Sequence, residues 1–291
     1  MKKTDSTTNL FGYEIYSKDY SSLLEILISH LKNGDKTFSI FTPNSEQIVL
    51  AKKQKSFANY LGFADFLLPD GVGLLFAAKI LAFFGGGNNK NGASNKILQR
   101  ITGIDLTKDL LKIATKDDLK VLIVGGRDYE GREYDGQKVK ILSLNGSSGG
   151  GGGSSGGSAT KKTAEDDLNT IWWAEGYNKI YNPTDGESKS IISTILKLKP
   201  SLVFVAFGAP NQEKWIVENA ETLRISGVSI VVAVGGTFDV LFGKINRAPK
   251  WMQNLGLEWL YRLIVEPWRW RRQLRLLEFV GLVIREIFIL Q

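Results

Sequence analysis

The stretch Leu67–Ala78 reads LLPDGVGLLFAA. An apolar run stops at Pro69, an acid follows at Asp70, Gly71 and Gly73 flank a valine, and a second apolar run begins. Pro-Asp-Gly breaks regular structure, so the pattern reads as a buried strand handing over to a buried helix. The same handover recurs along the chain. Strand-like runs occur at KTFSIFT (36–42), ADFLLP (64–69), KVLIVGG (120–126), SLVFVAFG (201–208) and SIVVAVGG (229–236). Between them lie helical patterns at 21–32, 45–61, 73–84, 107–116, 188–199 and 211–223. Several strands are apolar at consecutive positions, as strands covered on both faces must be. The expected fold is therefore α/β: a Rossmann-like, mostly parallel sheet with helices on both faces.

In such sheets ligands gather where strand C-termini meet helix N-termini. Asp70 stands in that zone.

The chain has 291 residues, 43% of them apolar, enough for a substantial core. Lysine and arginine outnumber acids 37 to 30, a net charge of +7 that suits an anionic partner. Absence of cysteine excludes disulfides and thiol nucleophiles. The single histidine, His30, lies in a helical pattern, which leaves no Ser-His-Asp triad and no His-rich metal site. No apolar run of signal-peptide length follows the first lysines, and no uncharged apolar run reaches about 18 residues, so membrane contact is expected to be peripheral.

Two segments interrupt the α/β pattern: Gly85–Lys96, rich in glycine and asparagine, and Asn145–Ala159, almost entirely glycine and serine. Both read as flexible insertions within one catalytic domain, residues 1–245. Residues 246–291 form a distinct appendage with eight Lys/Arg against four acids and four of the seven tryptophans. Its arginines alternate with aromatic and aliphatic residues, a composition suited to a membrane interface. The alternative is a terminal helix docked on the body of the protein or on a second subunit of a homo-oligomer.

Each candidate site residue has a structural reading beside the functional one. Thr42 and Asn44 follow a strand and aim hydrogen-bonding groups at the ligand end of the sheet, yet Asn44 with Gln47 also fits a helix cap. Asp70 is either a turn former or a base that takes a proton from an attacking hydroxyl. As an ordinary carboxylate near a helix N-terminus it would stay ionised and be a weak base. Gly71 and Gly73 permit close backbone approach. Gln212 falls in the first turn of a helix, among N–H groups suited to phosphate or sugar oxygens. Gly235 and Gly236 end a strand, and Asp239 is placed to bind a ribose or to cap the next helix. No strand-like run is followed by a GxGxxG fingerprint, and there is no GxxxxGK[ST] loop and no DxD sequence. A metal-independent reaction would use arginines to stabilise a leaving diphosphate, and Arg100, Arg262, Arg269, Arg271 and Arg272 are available.

Together TPN, LLPDGVG, RITGIDL, FGAPNQEKW, VGGTFD and RAPKWMQNLGLEWLYRLIVEPWR resemble the WecG/TagA/CpsF glycosyltransferase family, glycosyltransferase family 26, in order and spacing from Phe11 to Arg272. The resemblance implies an inverting, metal-independent and cofactor-free transfer. A sugar, typically N-acetylmannosamine or a relative, moves from a UDP-sugar donor to a polyprenyl-diphosphate-linked sugar acceptor. The implied setting is the cytoplasmic face of the bacterial cell membrane, in the synthesis of teichoic acid or another envelope polysaccharide. By the same resemblance Asp70 is the catalytic base, and Thr42, Asn44, Arg100 and Gln212 line the pocket. Arg262, Arg269 and Arg272 meet diphosphate groups, while Gly71, Gly235, Gly236 and Asp239 serve substrate. The sequence departs from the family at Gly85–Lys96 and where glycines and serines replace a helix and strand before WWAEGY. The rivals are a non-catalytic polyprenyl-diphosphate or anionic-lipid binding protein, which would need no base, and a nucleic-acid binder. Long aliphatic runs among the arginines argue against nucleic acid as a partner.

Overall fold

In the computed structural model, which describes residues 6–84, 97–141, 170–267 and 270–290, the chain opens with an antiparallel pair, β1 (Thr7–Leu10) and β2 (Tyr13–Tyr16). Phe11 and Gly12 between them have φ of 55° and 81°, the geometry of a two-residue hairpin turn. Next come α1 (Tyr20–Asn33), β3 (Phe38–Phe41), α2 (Ser45–Lys53), α3 (Lys55–Phe63), β4 (Phe66–Leu67) and α4 (Val72–Phe84). After α5 (Gly103–Lys116) and β5 (Val121–Gly125) a second hairpin, β6 (Glu133–Tyr134) with β7 (Gln137–Ile141), turns at Asp135 and Gly136. The chain continues through β8 (Thr170–Ala174), α6 (Asp185–Leu198), β9 (Leu202–Ala206), α7 (Asn211–Glu218), α8 (Ala220–Ile225), β10 (Ile230–Ala233) and α9 (Thr237–Leu241). It ends in α10 (Lys250–Asn254), α11 (Glu258–Val265) and α12 (Trp270–Leu290). The expected insertion Gly85–Lys96 and the Gly/Ser segment Asn145–Ala159 lie outside the described residues, as do Arg269 and the side chains of Arg271 and Arg272.

The ten strands of the described residues join one sheet in the order β1-β2-β4-β3-β10-β9-β5-β8-β7-β6. From β2 to β7 every pairing is parallel, and only the two terminal hairpins are antiparallel. The α/β expectation holds, with a mixed sheet closed at both ends by short hairpins. Alternate residues of each central strand enter separate apolar clusters. Leu122 and Val203 pack with α2, α3, α4, α6 and α7, whereas Ile123 and Phe204 pack with α1 and α5 on the other face. The strands buried on both faces are thus the consecutive apolar runs of the sequence.

Two expected helices are each broken in two. Residues 45–61 divide at Gln54 between α2 and α3, and residues 211–223 divide at Asn219. The Asn219 side-chain amide donates to the Trp215 carbonyl at 2.8 Å, the local competition that interrupts a helix. In the turns leading into β5 and β9, at the sheet edge opposite the strand C-termini, Asp118 and Lys199 take positive φ (52° and 49°).

The C-terminal helix docks on the body of the protein. Phe279 and Val283 of α12 are buried in the cluster containing α2 and α4, and Phe279 meets Phe11 edge-to-face at 5.4 Å. Glu278 pairs with Lys53 of α2 at 2.6 Å. The outward side of α12 leaves Leu277, Val280 and Phe288 exposed. No described helix is long and apolar enough to cross a membrane.

Candidate active site

The loops after β3, β4, β9 and β10 converge at the C-terminal edge of the sheet, where the strand order reverses between β3 and β5. They are laced together by backbone hydrogen bonds. The Asp70 N–H donates to the Pro43 carbonyl at 3.1 Å and the Ile101 N–H to the Pro69 carbonyl at 3.0 Å. This places Thr42–Asn44, Asp70 and the segment of Arg100 side by side. Gly71 has φ of 108°, where a side chain would strain the backbone. Gly73 instead serves packing: a Cβ there would lie 2.1 Å from Ser45 Oγ, so glycine lets the start of α4 approach the start of α2.

Asp70 is partly open to solvent and otherwise enclosed by protein. Desolvation lifts its carboxyl to about 6, against the downward pull of Arg100, Arg262 and Arg247 and with a smaller upward push from Glu258. The residue is therefore a stronger base than the ordinary carboxylate expected from sequence, and it titrates close to neutrality.

Around it runs a chain of charge. Arg100 donates to Glu258 Oε2, and Arg247 Nε donates to Glu258 Oε1 at 3.0 Å. Arg247 also forks onto Asp105, Nη1 to Oδ1 at 2.7 Å and Nη2 to Oδ2 at 3.1 Å. Asp105 sits in the first turn of α5, where Thr102 caps the helix by accepting the Asp105 N–H at 3.0 Å. Glu258 and Arg247 both belong to residues 246–291, so this C-terminal stretch reaches the site through α11 and the segment before α10. Sequence reasoning singled out neither as a site residue, although both stand in the block that carries the family resemblance.

The other expected residues divide by surroundings. Asn44 is a helix cap: its Oδ1 accepts the Gln47 N–H at 3.0 Å, and Gln47 Oε1 accepts the Asn44 N–H at 3.2 Å. Thr42 Oγ1 would lie 3.3 Å from a Cβ on Gly103, which brings the hydroxyl against the first turn of α5. Gln212 is only 4% exposed and its Oε1 accepts both the Gly208 N–H at 3.1 Å and the Gly235 N–H at 2.9 Å. It ties the loop after β9 to the loop after β10. Asp239 lies beyond the turn of Gly236 and accepts the Tyr129 hydroxyl at 2.9 Å. Tyr129 is held protonated by burial and by that carboxylate. A Cβ on Gly236 would stand 3.4 Å from Asp239 Oδ2 and 4.0 Å from Arg262 Nη2, so Arg262 of α11 reaches over this turn towards Asp70.

The arrangement combines one near-neutral carboxyl with several fixed cations, a pairing suited to removing a proton at one point and holding an anion nearby. A profile described as the glycosyl transferase WecG/TagA/CpsF family matches residues 8–140 and 151–291. The chain is also similar to the N-acetylglucosaminyldiphosphoundecaprenol N-acetyl-beta-D-mannosaminyltransferase of Bacillus subtilis (strain 168), with 28% identity over 280 residues, 96% of this chain and 92% of that relative.

Proposed function

The chain belongs to the WecG/TagA/CpsF glycosyltransferase family, and from that premise we propose that it moves N-acetylmannosamine or a related hexose from a UDP-sugar to a polyprenyl-diphosphate-linked sugar. The observation that carries this reading is Asp70, a carboxyl lifted to about 6 and ringed by arginines.

In this reading the reaction is a single inverting displacement. Asp70 takes the proton of the acceptor hydroxyl as its oxygen forms a bond to the anomeric carbon. The bond from that carbon to the UDP oxygen breaks on the opposite face, and the electron pair leaves with UDP. Arg262, with Arg269 and Arg272 of the same segment, offsets the charge gathering on the departing diphosphate. Arg100, engaged by Glu258, keeps positive charge beside Asp70, while Thr42 and Gln212 shape the pocket walls. Asp239 and the Gly235-Gly236 turn receive the nucleoside. No cofactor takes part.

The appendage has a second role in this proposal. The outward face of α12, with Leu277, Val280 and Phe288, lies on the inner leaflet of the cell membrane, where a lipid-linked acceptor is presented. Flotation with anionic vesicles tests it: serine at those three positions should abolish co-flotation, and undiminished binding would refute the contact.

The deciding experiment measures UDP release from a panel of UDP-sugars, with and without a short-chain polyprenyl-diphosphate-GlcNAc acceptor, comparing the native chain with Asp70→Asn. Acceptor-dependent release that collapses in the variant is the expected result. Acceptor binding without donor consumption would replace catalysis with lipid binding alone.

A further inference from the structure

Glu213 lies beside the site and has no part in the reaction described above. It is 1% exposed in the first turn of α7. Its Oε1 accepts from Gln212 Nε2 at 2.9 Å, while its Oε2 has no hydrogen-bond partner among the described residues. Burial pushes the carboxyl up to about 7, and only Gln212 and its own backbone N–H act against that, with no cation contributing. A buried carboxyl without a counter-ion is costly to keep charged, but with or without its proton the Oε1 lone pair accepts the Gln212 amide, and that contact is its role here.

What it accepts from explains why an acceptor is needed. The Gln212 amide has two orientations of nearly equal shape, and only one directs its oxygen at the Gly208 and Gly235 N–H groups. Flipped, the amide would face two donors with a third donor. An acceptor on the Nε2 side removes that alternative. Both anchored glycines take positive φ, 76° at Gly208 and 53° at Gly235, so these turns are specified by geometry that few residues tolerate.

We propose that Glu213 is a positioning residue: by fixing the orientation of the Gln212 amide it locks the turns after β9 and β10 together and sets the width of the floor on which the donor's nucleoside diphosphate rests. The placement of the donor rests on the function proposed above, whereas the locking of the turns does not. Glu213 acts through Gln212 and touches no reacting atom.

The test uses the full chain with Glu213→Gln and Glu213→Met. Hydrogen exchange reports the Gly208 and Gly235 amides directly, UDP binding by calorimetry reports the floor, and steady-state kinetics separate KM for the donor from kcat. Glu213→Gln retains an acceptor and a neutral group, and should stay within about twofold of the native chain in all three. Glu213→Met should lose roughly tenfold in protection at the two glycines and about tenfold in UDP affinity, and its donor KM should rise about tenfold, corresponding to the loss of one hydrogen bond. Its kcat should change less than threefold. Adding Gln212→Met to Glu213→Met should cost no more than Gln212→Met alone, because the two act as one unit. Unchanged protection in Glu213→Met, or penalties that multiply in the double variant, would overturn the proposal. If Glu213→Met does not fold, Glu213→Ala carries the same expectation at roughly threefold, since water can enter to replace part of the bond. Were the native chain not to bind UDP, the donor reading would fail while the exchange data still decided the locking.

Discussion

Glu258 holds Arg100 with one carboxylate oxygen and Arg247 with the other. One acid of the appendage is thereby shared between an arginine of the α/β body and an arginine of its own segment, beside Asp70. Glu258 adds to the upward shift of the Asp70 carboxyl that burial dominates, and Arg100 opposes it. The rate should therefore rise with pH through about 6 as Asp70 loses its proton. Glu258→Gln should move that limb to lower pH, since it removes a negative neighbour. A pH profile of kcat/KM for both chains checks this, and an unmoved limb would count against the electrostatic link.

The same carboxyl affects stability with a definite sign. Its folded value of about 6 lies above the ordinary 3.8, so below about pH 3.8 it is protonated whether folded or not. Above about pH 3.8 the unfolded chain releases this proton while the folded protein holds it, so stability is lost as pH rises to about 6 and is level beyond. Asp70→Asn should therefore gain about 1–2 kcal/mol at pH 8, a discounted share of a two-unit shift, and nothing near pH 3.5. Urea melts at the two pH values measure it.

Arg247 joins Asp105 of α5 to Glu258 of α11 while itself largely buried. Arg247→Met would take the fork from Asp105 and leave Glu258 with Arg100 alone, and should cost about 1–2 kcal/mol, less than a fully buried pair because Asp105 is half exposed. A double-mutant cycle with Asp105→Asn should show coupling above about 0.5 kcal/mol. Additive losses would mean that the fork holds nothing together.

Phe279 fills the space between α12, α2 and Phe11. Phe279→Ala should destabilise the whole protein by about 3 kcal/mol in a single cooperative transition. If α12 melted separately and the rest kept its midpoint, the helix would be an independent attachment.

The parts of the site that sequence made legible are those that follow buried strands. Asp70, Thr42, Asn44, Gly235 and Asp239 could be placed at one edge because consecutive apolar runs announce parallel strands, and such strands send their C-termini the same way. The Asn44–Gln47 cap was visible because its two members are three residues apart. Long-range partners leave no such mark: Arg247 meets Asp105 across 142 residues, and no periodicity encodes that pairing. The hairpins escaped for another reason. Their strands are two to five residues long, too short for alternation to stand out, and the first turns at Phe11, a residue that seldom takes positive φ. The strand TIWWA of β8 is buried throughout but stands alone after a glycine-serine stretch, without a neighbouring apolar pattern to support it.

With the proposed chemistry at the strand C-termini, the turns entering β5 and β9 at the far edge should be open to engineering without a toll on turnover. Lys199 ends α6 in a left-handed conformation that a side chain adopts reluctantly. Lys199→Gly should add up to about 1 kcal/mol of stability and so raise the melting temperature, with turnover unchanged. Asp118, at φ of 52° before β5, offers a second such position. A hardier scaffold for donor-panel work can thus be assembled from the edge of the sheet opposite the proposed site.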